Sequence, residues 1–132
     1  DCLSDIDIQE MVESHRRQQS LATVAIAHPT GRNEILALNE QGCYIGTKQG
    51  KKQKHSWVNA CSMVLEARTF DYLKENQKNH FVLSLMDCLA AHEPVQTYRH
   101  EGFWSPVETI RDKTWMENLW AQHKAPWKVW ED

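Results

Sequence analysis

The 132 residues carry 15 Lys and Arg against 18 Asp and Glu, a net charge of -3. That balance argues against a nucleic-acid binder, which shows a basic excess, but a small phosphorylated ligand needs only one or two well-placed cations. The length fits one domain with a core of its own, and no apolar run approaches the roughly 18 residues of a membrane span. The chain opens on Asp1 without an initiator Met, a basic flank or an apolar leader, so a cytoplasmic, trimmed or fragmentary chain is expected. Cys2, Cys43, Cys61 and Cys88 form no CxxC pair; reduced thiols, mostly buried as small hydrophobes, are expected rather than a zinc or redox motif.

In chain order, Ser4 stands as an N-cap, with Asp7 three residues on in a capping-box position. Behind it Ile8, Met11, Val12 and His15 recur at helical spacing, which predicts a helix over 5–19. The β-branched run 21–29 predicts a buried strand ending at Pro29, and 30–34 a turn. Residues 34–39 and 43–48 flank "NEQG" and predict a hairpin. Residues 48–55 read as a basic, polar loop and 56–65 as a buried strand. Residues 67–77 and 81–91 predict two helices. Residues 95–104 predict a strand running into a bend at Gly102. The span 108–124 predicts the best helix of the chain, with Ile110, Trp115, Leu119 and Trp120 near one face. The order is that of a mixed α/β domain with a β-sheet and flanking helices, without internal repeat or composition break.

No nucleophile elbow, Walker loop, dinucleotide fingerprint or HExxH is present. His28, His55 and His100 read as structural or exposed. Lys48, Lys51, Lys52 and Lys54 read as a solvated loop able to neutralise a phosphate. Trp104, Trp115, Trp120, Trp127 and Trp130 read as core and clamp. Two stretches carry more: the acids of "DCLSDID" before the first helix, and Glu108, just after an aromatic bend and a Pro, where a metal-ligating carboxylate fits.

The tract "YRHEGFWSPVETIRDK", followed by "LW" and "KAPWKVW", resembles the C-terminal end of the glucose-1-phosphate cytidylyltransferases. "LSDIDIQEMVESHRRQ", "HPTGR" and "VNACSMVL" resemble earlier segments of the same half. The resemblance implies a truncated nucleotide-diphospho-sugar transferase (Rossmann-like) fold. It implies attack of glucose 1-phosphate on CTP with Mg²⁺ bridging phosphates, where a cation and Lys side chains offset the repulsion of two anions. By position, the resemblance implies that Asp1 and Glu108 match the family's metal-binding acids, Lys48 its sugar-phosphate contact and Asn59 an Asn that lines its sugar site. Several positions depart from the family. Cys2 replaces a Gly after the first acid. Thr47 and Gln49 replace the residues flanking the Lys. Ala60 and Cys61 replace a Gly pair, and Glu108 stands where the family has Asp. The Gly-rich triphosphate loop of the family's front half has no counterpart in these residues. The expectation is therefore a sugar-binding half that does not catalyse alone, with a stand-alone, degenerate interaction module as the alternative. Strand edges stripped of neighbours favour a homo-oligomer, most simply a dimer. Neither a nucleic acid nor a membrane is expected as partner.

Overall fold

A computed structural model describes residues 1–28, 35–48, 56–73 and 81–131, the side chains of 48, 73 and 81–84 excepted. Seven strands and four helices follow in the order β1 (Cys2–Ser4), α1 (Ile8–Gln18), β2 (Ala22–Ala27), β3 (Ile35–Leu38), β4 (Tyr44–Lys48), β5 (Val58–Leu65), α2 (Thr69–Leu73), α3 (Phe81–Ala90), β6 (Gln96–Arg99), β7 (Trp104–Pro106) and α4 (Ile110–Ala121). The expected turn at 30–34 and most of the basic loop lie outside the described residues.

β2 is the spine. All six of its residues are buried, as suits a strand covered on both faces. It pairs antiparallel with β5 and parallel with β6, giving a mixed sheet of order β5-β2-β6. The alternation of its side chains splits the core in two. Ala22, Val24 and Ile26 face Leu85, Met86 and Leu89 of α3, with Leu36 and Tyr44 of the β3–β4 hairpin. Ala25 and Ala27 face Ile6, Met11, Val58, Ala60 and Trp104. β5 lies at the sheet edge and is only partly buried along its second half, not buried throughout as its apolar run predicts.

Three local expectations change. Ser4 is not a cap: it pairs with Trp104 across β1–β7, and Asp7 caps α1, its Oδ1 accepting the Glu10 N–H at 2.9 Å. α1 presents Met11 and His15 to the core. His15 lies between Thr23 Oγ1 at 2.9 Å and Glu66 Oε1 at 3.1 Å, tying helix, spine and the exit of β5. α4 is a well-capped helix, with Thr109 and Asp112 closing a capping box, but its apolar side chains do not form a core face. Met116 is its buried residue, while Ile110, Trp115 and Trp120 are exposed. Cys43 is the buried cysteine of the four, and none of them is in a disulfide.

The bend expected at Gly102 separates β6 from β7. His100 Nε2 sits 2.9 Å from both the Phe103 carbonyl and Asp5 Oδ1. A Cβ on Gly102 would stand 2.6 Å from that Asp5 oxygen and 2.8 Å from the His100 ring. Only glycine leaves room for this knot, which explains the "HEGF" tract as packing.

Candidate functional site

The two-stranded sheet of β1 and β7 carries the candidate site. Cys2 pairs with Pro106, and the Val107 N–H donates to the Asp1 carbonyl at 2.8 Å. Asp1 and Glu108 lie at the adjoining ends of this ladder, Glu108 one residue beyond the partner of Asp1, and both are exposed. The Glu108 N–H donates to Asp112 Oδ2 at 3.2 Å, so the acid is presented from the start of α4. The short aromatic strand and the capping box together place it.

β5 delivers the second component. Val24 pairs with Met63 and Ile26 with Asn59, so Ala25 alone stands against Ala60, Cys61 and Ser62. This is a β-bulge, the device by which an edge strand re-aims a side chain. At its tip Cys61 takes φ 68°, left-handed backbone that favours glycine. The bulge is held from both sides. Asn59 Oδ1 accepts the Cys61 N–H at 2.8 Å, and the Asn59 amide reaches Met86 Sδ at 3.7 Å. The Ala60 carbonyl accepts the Trp104 indole N–H at 3.1 Å and the Cys2 thiol at 3.6 Å.

The two components meet at Cys61. Partial burial of its thiol, and then the neighbouring Cys2 thiol, push it up to about 11. The Glu108 carboxylate raises it further, so Glu108 lies within electrostatic reach. The ladder thus sets Asp1 beside Val107, next to Glu108, and Cys2 against the bulge that Asn59 holds. Lys48 is placed elsewhere, at the end of β4 opposite Ile35, with its side chain outside the described residues. The pairing of the two thiols was not legible from their spacing; their only signal was that each occupies a glycine position of the resembling family. Among the described residues, no group of three His, Cys, Asp or Glu could hold a metal ion.

A second cluster sits at the carboxyl ends of β2 and β6, where open α/β sheets place ligands. His28 stacks on Trp57 with ring centroids 4.3 Å apart, and Arg99 lies over the same indole at 5.6 Å. His28 also meets Glu101 at 3.1 Å.

Across its length the chain is 32% identical to a glucose-1-phosphate cytidylyltransferase of Salmonella typhi, over 99% of its own residues and 50% of the relative's. The Salmonella typhimurium enzyme of the same name matches at 30% over the same shares. The chain is similar to one half of a glucose-1-phosphate cytidylyltransferase. It spans about half the length of these curated relatives, in agreement with a resemblance confined to the C-terminal half. A crystal structure from Bacillus anthracis, assigned as a glucose-1-phosphate thymidylyltransferase, superposes with a TM-score of 0.72 at 15% identity, covering 100% of this chain and 54% of that one. At that identity the likeness shows the fold alone: that of about half of a nucleotide-diphospho-sugar transferase (Rossmann-like) chain. No protein-family model matches. Among the described residues, no helix is long and apolar enough to cross a membrane.

Proposed function

We propose that this chain provides the sugar-phosphate and metal side of a cytidylyltransferase acting on glucose 1-phosphate and CTP, and that it does not complete the transfer by itself. The observation that carries this reading is the β1–β7 pairing, which sets Asp1 and Glu108 at adjoining strand ends beside the Asn59–Cys61 bulge. Mg²⁺ takes one or two carboxylates and completes its shell with water and phosphate oxygens. Two exposed acids at one sheet end fit that donor set in kind, and they are the residues that would hold the ion. Bound there, Mg²⁺ would offset the charge of phosphate oxygens drawn together for transfer.

The remaining side chains support binding more than turnover. Lys48 would supply a point charge for the sugar phosphate. The Asn59 amide is already engaged in holding the bulge, so it acts by shaping the strand. Cys61 puts a side chain where a glycine pair would let a ligand approach the backbone closely. These residues contain no Gly-rich loop for a triphosphate, so the nucleotide must be held by something other than them. Incubation of the 132-residue chain with CTP, glucose 1-phosphate and Mg²⁺ is expected to yield no CDP-glucose. Calorimetric titration with glucose 1-phosphate is expected to give binding that Lys48→Ala removes. Formation of CDP-glucose overturns the incompetence; absence of any glucose 1-phosphate binding overturns the sugar-phosphate role.

A second reading is favoured by one observation, the exposed aromatic and aliphatic side chains of α4 and the tail. It holds that the chain acts as a self-associating module, a homodimer in the simplest case.

A further inference from the structure

Cys2 and Cys61 have no part in that reaction, yet 58 residues of chain lie between them and the fold sets them side by side. The Cys2 thiol donates to the carbonyl of Ala60, the residue before Cys61, at 3.6 Å, and it lies near enough to the Cys61 thiol to push it up. The left-handed backbone at the bulge tip and the Asn59 clamp at 2.8 Å fix the direction in which the Cys61 side chain leaves the strand. Cys61 is exposed and Cys2 half-buried, so an oxidant reaches the pair from solvent. The other thiols are apart from it: Cys43 is buried beside the hairpin turn, and the Cys88 thiol faces the Tyr72 carbonyl.

We propose that Cys2 and Cys61 are a reversible two-electron oxidation site, closing to a disulfide that joins β1 to the β5 bulge. With hydrogen peroxide as oxidant, one sulfur attacks the peroxide, the O–O bond breaks, and a sulfenic acid forms as water leaves. The second sulfur then attacks the sulfenic sulfur, the S–S bond forms and a second water departs. Two thiols lose two electrons and two protons, and one peroxide becomes two waters. A dithiol reductant reverses the step by exchange. Closure would tie the strand bearing Asp1 to the bulge and hold it in place. The inference needs only the two thiols and stands whether or not the chain binds a sugar phosphate.

The test treats the folded 132-residue chain with hydrogen peroxide, blocks remaining thiols, and maps peptides by mass spectrometry without reduction. A Cys2–Cys61 cross-linked peptide lacking two hydrogens is expected, reversible by dithiothreitol, with Cys43 and Cys88 left open to alkylation. Cys2→Ser and Cys61→Ser should each abolish it while the circular dichroism spectrum stays that of the parent. The same treatment in urea should scatter the pairings. Sulfinic or sulfonic acid on either cysteine without a cross-link, or cross-links shared with Cys43 or Cys88 in the folded chain, overturns the proposal.

Discussion

At Cys61 a side chain sits on backbone with φ 68°, where a β-carbon crowds its own peptide. Left-handed conformation at a non-glycine residue costs on the order of 1–3 kcal/mol, part of which glycine would return as lost chain entropy. Cys61→Gly is therefore expected to stabilise the fold by about 1 kcal/mol, read as a higher urea midpoint at unchanged slope; an unchanged or lower midpoint would show that the bulge carries no strain. Gln19 and His123 share the sign of φ, but each lies at or just beyond a helix end, where such a residue is ordinary. Cys61 alone lies inside a strand. The conformation that suits the resembling family's glycine has survived the glycine's replacement.

Among the elements, α4 shows how a helix can be well terminated and poorly packed. The Thr109 hydroxyl accepts the Asp112 N–H at 3.1 Å and Asp112 Oδ2 accepts the Thr109 N–H at 2.9 Å; the Thr109 side chain first, and then the Glu108 and Thr109 backbone N–H groups, hold the Asp112 carboxyl below its usual range. Thr109→Ala should cost about 1 kcal/mol of helix stability. Hydrogen exchange across Ile110–Ala121 should then quicken roughly fivefold, while Thr109→Ser should stay close to the parent. Elements governed by short-range rules were legible in the sequence: the β-branched run became β2, the "NEQG" signal became the β3–β4 turn, and Gly102 became the bend. What depended on distant partners was not. Ser4 has every local mark of a cap, but a strand partner a hundred residues away, Trp104, takes it. The spacing of Ile110, Trp115 and Trp120 describes an apolar stripe without saying what covers it. The β5 bulge depends on a register shift that no local pattern reveals.

At the scale of the whole molecule, the described residues expose apolar side chains along α4 and the tail. Ile110 is 84% exposed and Val129 72%, with Trp120 and Trp130 tilted against each other at 6.3 Å. Grouped apolar exposure of this kind marks an interaction surface, and a self-complementary patch closes most simply about a two-fold axis. Light scattering at micromolar concentration is expected to give the mass of a dimer, shifted toward monomer by Ile110→Glu with Trp120→Glu; a monomeric parent chain would sink the idea. The β1–β7 ladder has a different consequence. Each strand is three residues long, and a ladder so short opens far more often than a strand such as β2. Each opening lifts Asp1 and Cys2 away together and takes a donor from the Ala60 carbonyl. The lifetime of the assembled acid pair is thus governed by the fraying of the smallest sheet and not by the durability of the core beneath it.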